Sequence, residues 1–140
     1  MSPVLFDSSV YITALRGGRD ALVALRRPGS SAPAWLSSVV LEELCAGAGL
    51  NGLAAVNRLE RDFDKARRIL VPNLGDWIHT GKVLARLAAK YGYEQIGRGR
   101  LTNDALIALS AGRVGVTVIT ANARDFARLA EFHSFAWSVL

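Results

Sequence analysis

Asp7, Glu43, Asp104 and Asp125 are the residues of this chain whose type and placement could do chemistry. Each stands where a chain alternating strand and helix would bring side chains together. Clustered carboxylates repel one another, and a fold keeps such a cluster when a hard divalent cation neutralises it. A cation held this way can activate water and neutralise the oxygens of a phosphate under attack. The donors on offer are oxygens, which points to Mg2+ or Mn2+. His79 and His133 lie far apart in sequence with no partner at ligand spacing, so nothing supports zinc.

The rest of the chain has the opposite sign. Its 140 residues carry a formal charge of +5 and a pI near 10.0. Of its 17 basic residues only Lys65, Lys82 and Lys90 are lysines, and guanidinium favours bidentate contact with phosphate. An acidic hole in a positive surface suits a polyanionic substrate. Arg16, Arg98, Arg100 and Arg124, with Arg19, fall on or near loops that would rim such a hole. Arg58, Arg61, Lys65 and Arg68 share a helical face, but Asp62 interrupts it and marks it as solvated surface.

The composition fits one domain over residues 1–140, able to bury about two-thirds of its unfolded surface. A hydrophobic content of 51% with only 4 Pro and 13 Gly argues against disorder. No apolar run approaches the roughly 20 residues needed to span a bilayer. Residues 1–15 lack the basic start of a secretory signal. The single cysteine, Cys45, excludes an internal disulfide and fits a reducing, cytoplasmic setting; it reads as a small buried apolar residue.

Apolar runs at Val4–Phe6, Ala34–Leu36, Ile69–Val71, Val116–Ile119 and Phe135–Leu140 read as strands. Helices follow from Ser8 or Ser9 to the Gly17-Gly18 stop and from Ser37 or Ser38 to Gly47. A further short helix is expected over 19–27, ahead of a Pro28–Pro33 loop. A long amphipathic helix carries Gly52, Val56, Leu59, Phe63, Ala66 and Leu70. The next has Trp77, Gly81, Leu84, Ala88 and Tyr91 as its core stripe and closes at Gly92. After the Gly97-Arg98-Gly99-Arg100 loop, Thr102 or Asn103 caps a helix to Arg113, and a last helix covers 124–130. Strands alternating with helices imply an α/β fold: a largely parallel sheet flanked by helices on both sides.

In such sheets, sites form at the C-terminal ends of the strands. Asp7 ends the first strand and Asp125 follows the Val116–Thr120 strand. Asp104 falls in the first turn of its helix, where the macrodipole alone would favour an acid. Glu43 lies about 60° from Val40 around the helix and borders its buried face, whereas Glu42 points about 160° away into solvent.

At these residues the chain resembles the PIN-domain proteins, and among them the VapC toxins of bacterial toxin–antitoxin pairs. The matching pieces are Leu5-Phe6-Asp7-Ser8-Ser9, Ser38-Val39-Val40-Leu41-Glu42-Glu43-Leu44 with Gly47, Asn103-Asp104-Ala105-Leu106-Ile107-Ala108, and Thr120-Ala121-Asn122-Ala123-Arg124-Asp125-Phe126. The resemblance implies a ribonuclease dependent on Mg2+ or Mn2+, often dimeric, and silenced by an antitoxin. It implies Asp7, Glu43, Asp104 and Asp125 as catalytic and metal-holding residues. The family's fourth polar position falls on Asn122 or on Asp125; the acid is at Asp125, with Thr120 and Asn122 as neighbours that orient ligands or water. In-line attack would leave a 5′-phosphate and a 3′-hydroxyl. Phe and Trp mostly take core-periodic positions, so recognition should rest on RNA shape and phosphates. Two rivals remain: a catalytically inactive PIN-like module that binds RNA or protein, and an aspartyl phosphatase. Ser9 stands where the second Asp of such a phosphatase would be.

Overall fold

Short apolar segments become strands here because helices cover both faces of the central ones, while the edge strand at Trp137–Val139 stays largely exposed. A computed structural model of the chain describes residues 3–16, 33–96 and 100–140, without the side chains of Gln95, Ile96 and Arg100. The expected helix over 19–27, the glycines and loop around it, Arg19 and the Gly97–Gly99 segment with Arg98 lie outside the described residues.

Five strands form one parallel sheet: β1 (Val4–Phe6), β2 (Ala34–Ser37), β3 (Ile69–Leu70), β4 (Thr117–Thr120) and β5 (Trp137–Val139). Their order across the sheet is β3-β2-β1-β4-β5. Leu5 is paired with Trp35 on one side and Val118 on the other. The described helices are α1 (Ser8–Arg16), α2 (Ser38–Gly47), α3 (Gly49–Lys65), α4 (Leu74–Tyr91), α5 (Arg100–Val114) and α6 (Ala123–Ala130), with a short 3-10 turn at Tyr93–Ile96. The chain leaves β1 towards β2 and later returns to β4 on the opposite side. The crevice beyond the ends of β1 and β4 is therefore the switch point of the sheet, where α/β folds build their sites.

The core is continuous through the sheet. Leu5, Leu36 and Val118 are buried in its centre, Val40, Leu44, Val56 and Leu59 cover it from α2 and α3, and Ala105–Leu109 supply the near-continuous buried face of α5. Phe126 of α6 packs against Phe135 and stacks on Trp137, fixing the last strand.

Local chemistry sets the helix ends. Ser37 caps α2 by accepting the Val39 N–H at 3.1 Å. At the end of α3, Arg67 and Arg68 donate their N–H groups back to Asp64 and Phe63, with Arg67 in the left-handed conformation at φ 56°. This closes α3 at Lys65, so Ala66 and Leu70 lie outside the helix that the stripe of apolar residues had extended through them.

Helix α4 departs most from its expected pattern. Its buried face is Asp76, Thr80, Val83, Leu87 and Ala88, while Trp77 is 55% exposed and Gly81 faces solvent. The face is rotated because Asp76 is satisfied internally. Asn73 and Asp76 form a reciprocal capping box, with bonds of 2.8 and 2.9 Å. The Arg113 Nε donates to both Asp76 carboxylate oxygens at 3.1 and 3.0 Å, tying the start of α4 to the end of α5. A carboxylate so neutralised can sit in a core where an isolated one could not. Cys45, expected inside, is exposed, since Val39, Val40 and Leu44 take the buried side of α2.

The Asp76–Arg113 pair is half solvated on the arginine side, which moderates its contribution. Asp76→Ala removes the Asn73 N–H half of the capping box and the Arg113 pair, and should cost about 2–3 kcal/mol in urea unfolding. A loss below about 0.5 kcal/mol, the level of a neutral surface change, would show that neither contributes.

Candidate active site

The first acid is built into the junction of strand and helix. Asp7 follows β1 directly, and its backbone N–H is bound by Ile119 O of β4 at 3.0 Å. Its Oδ1 accepts the Ser9 N–H at 3.1 Å, so Asp7 itself, and not Ser8 or Ser9, caps α1. The Ser9 hydroxyl also donates to Oδ1, and the Thr120 hydroxyl donates to Oδ2 at 2.7 Å. Each of these hydroxyls in turn accepts a backbone N–H from the turn after β4. Ala121 donates to Ser9 Oγ at 3.1 Å and Asn122 donates to Thr120 Oγ1 at 2.8 Å. A hydroxyl that accepts an N–H directs its own proton elsewhere, here to the carboxylate. Asp7 is 2% exposed and held on both oxygens.

Glu43 stands on the inner border of α2, half-buried, as the helical geometry anticipated. Burial holds its carboxyl above the usual carboxylate range. The Ser8 and Asn103 side chains oppose this shift, and the negative charges of Glu42 and Asp7 add to it. The two consecutive serines thus divide their work, with Ser9 on Asp7 and Ser8 on Glu43. The Oε1 of Glu43 is buried and accepts no hydrogen bond.

Asp104 is 4% exposed on α5. Because that helix starts at Arg100, Asp104 is its fifth residue, and the first turn holds no acid. Helix-dipole electrostatics at a first turn therefore does not account for it. Its neighbour Asn103 donates an amide proton to Glu42 Oε2 at 3.3 Å. Glu42 is exposed as anticipated but is not a bystander.

Asp125 belongs to the start of α6. Asn122 caps that helix, and its Nδ2 donates to Asp125 Oδ2 at 2.9 Å. Asp125 therefore reaches the site through Asn122, Thr120 and Asp7, a relay of hydrogen bonds. It has the fullest local explanation of the four.

Hydrogen bonds thus link Asp7 and Asp125 through Thr120 and Asn122, Ser8 ties Glu43 to the start of α1, and Asp104 is linked to Glu43 through its chain neighbour Asn103. Carboxylates repel, and each leans on its own donors. Among the described residues no group of three or more His, Cys, Asp or Glu side chains is arranged to hold a metal ion as it stands. The oxygen-only chemistry and the bare, buried Glu43 Oε1 nevertheless fit a hard divalent cation. Asp125, whose Oδ2 already accepts the Asn122 amide, fits less well than Glu43. His79 and His133, far apart in sequence, have ring centroids 6.5 Å apart outside this network.

Of the arginines expected to grip substrate, Arg16 ends α1 and Arg124 lies in the first turn of α6, both exposed. Arg100 opens α5, its side chain outside the described ones, as is Arg98. Sequence reasoning took Ser8 and Ser9 only as helix caps and missed their contacts with Glu43 and Asp7; their place directly after Asp7 was the available signal.

A central acid at the end of β1, a switch point flanked by hydroxyls and further acids from α2, α5 and α6 together define a known class. The chain belongs to the PIN domain family, whose model matches residues 4–132. The DNA-bound VapBC of Salmonella typhimurium contains a chain with the same fold at a TM-score of 0.70 and 25% identity, covering 99% of this chain and 98% of that one. VapBC2 of Rickettsia felis, bound to a promoter DNA fragment, matches at 0.67 and 21% identity over 98% of each chain. VapBC-1 of nontypeable Haemophilus influenzae matches at 0.64 and 23%, over 97% of this chain and 96% of that one. No curated protein sequence matches this one closely enough to count as a relative.

The raised Glu43 carboxyl makes a signed prediction. Its ionisation is harder in the folded state than in the unfolded chain, so it weakens the fold above the folded pKa. That penalty disappears below the unfolded value near 4.5. Glu43→Gln in metal-free buffer should therefore raise the melting temperature at pH 7 to 8, with the gain fading towards pH 4. A gain that stays constant across this range would remove ionisation as its cause.

Proposed function

We propose that this protein is a metal-dependent endoribonuclease, the toxin of a toxin–antitoxin pair, which hydrolyses RNA phosphodiester bonds to leave 5′-phosphate and 3′-hydroxyl ends. The observation that carries the reading is the half-buried Glu43 carboxylate, with one buried oxygen bare, beside an Asp7 oriented by two hydroxyls. Burying acids this way works against folding, and a cation-binding role gives the arrangement a purpose. PIN-family membership and the VapBC likeness support the toxin assignment.

Asp7, Asp104 and Glu43 are the residues that would hold Mg2+ or Mn2+, and Asp125 would complete the set or orient the attacking water. The ion, when bound, supplies neutralisation of phosphate charge and an activated water. The chain itself does the positioning. Ser9 and Thr120 keep both Asp7 oxygens from rotating, Asn122 steers Asp125, and Ser8 and Asn103 flank Glu43. Arg16, Arg98, Arg100 and Arg124 draw the RNA backbone over this site, since a guanidinium matches a phosphate in two bonds.

A protein partner fits the same picture. Val71, Leu74, Trp77 and Ile78 present an exposed apolar face at the start of α4, of the kind that a partner chain covers. A cognate antitoxin and a second copy of the chain are both part of this reading. No described helix is long and apolar enough to cross a membrane, and in this reading the protein works in the cytoplasm, where its RNA substrate would be met.

The test uses purified protein and structured RNA. Cleavage should need Mg2+ or Mn2+ and stop with EDTA. Asp7→Asn and Asp104→Asn should each lower the rate by about 100-fold or more while leaving circular dichroism unchanged. Substantial activity in either variant, or in EDTA, refutes the assignment. RNA affinity should fall steeply with salt, and Arg124→Ala should reduce that slope by about one.

A further inference from the structure

Asn103 and Glu42 are each one residue from an acid of the candidate site. Asn103 precedes Asp104 on α5, and Glu42 precedes Glu43 on α2. The 3.3 Å hydrogen bond between Asn103 Nδ2 and Glu42 Oε2 therefore joins the two helices directly beside the two side chains that must converge. We propose that Asn103 and Glu42 are positioning residues that staple α5 to α2 and so set the placing of Glu43 and Asp104 for a divalent cation.

Three features support this. The two helices approach with like charges, so without a neutral bridge their acids would push the helix ends apart. A carboxamide suits that bridge because its NH2 has two protons and no charge. One proton goes to Glu42, and the Asn103 side chain also lies against Glu43. Glu42 is exposed, so its place in the bond does not come from the packing of a core. A purely solvated glutamate on the outer side of α2 would have no reason to meet an α5 side chain. The staple acts on the ligands and touches neither substrate nor ion.

The inference rests on the metal-dependent reading, and the experiment separates the two. Mn2+ binding to the full chain is measured by calorimetry or electron spin resonance, together with melting temperature, for the unaltered protein, Asn103→Leu, Glu42→Ala and the double variant. Outer partners of metal ligands typically change affinity about 10- to 100-fold, and each single variant should weaken Mn2+ binding by that order. The double variant should lose little more than either single one, because both remove one bond. Glu42→Gln, which keeps an accepting oxygen, should restore most of the affinity lost in Glu42→Ala. Exposed Glu42 can be replaced without threatening the fold, so the proposal stays testable if Asn103→Leu does not fold. Unchanged Mn2+ affinity in Glu42→Ala, or losses that simply add, overturns the staple while leaving the metal reading in place. Failure of the unaltered chain to bind Mn2+ overturns both.

Discussion

The grip of two hydroxyls on Asp7 joins more of this structure than any other interaction. It ties β1 to β4 through Thr120, β1 to α1 through Ser9, and both to the turn that starts α6. Each hydroxyl is oriented by a backbone N–H, so the carboxylate meets donors whose direction is already fixed. Such preorganisation lowers the cost of assembling charge at a site, since little has to rearrange. It also explains why the sheet can end in an acid: the charge is surrounded by donors supplied by its own neighbours in the fold.

A buried and a half-buried carboxylate show how environment divides identical chemistry. Asp76 is enclosed by a capping box and a guanidinium, and serves the architecture. Glu43 has no basic partner among the described residues, and its charge is opposed by burial and by nearby acids. The first arrangement stabilises the fold, the second works against it. A residue that folding alone would disfavour is where function is most economically sought.

Much of this was legible in the sequence. The β-branched run at 117–120 and the apolar run at 4–6 fixed the strands that matter, and the rule of sites at strand ends placed Asp7 and Asp125 on one rim. Helical geometry distinguished Glu43 from Glu42 correctly as regards burial. It could not show the Asn103 bond, which depends on how two helices meet. The start of α5 was legible only to within a few residues, and so Asp104 moved out of the first turn. The face of α4 was misread because apolar periodicity assumes that acids lie outside. Asp76 lies inside thanks to Arg113, a partner 37 residues away that no local pattern reveals. Cys45 was misplaced for a similar reason, as residue type carried more weight than its angle on the helix.

The central strands also impose an order of events. Of the two neighbours of β1, β2 and β4, the second lies more than a hundred residues downstream, and the Thr120 bond to Asp7 spans a separation of 113. A nascent chain emerging from the ribosome has its first acid early but no companion hydroxyl until nearly the whole domain has been made. Distant pairing of this kind also forms late in folding. The Asp7–Thr120 contact is therefore completed only once nearly the whole domain exists, so truncated products and stalled intermediates lack the paired hydroxyl that orients this carboxylate.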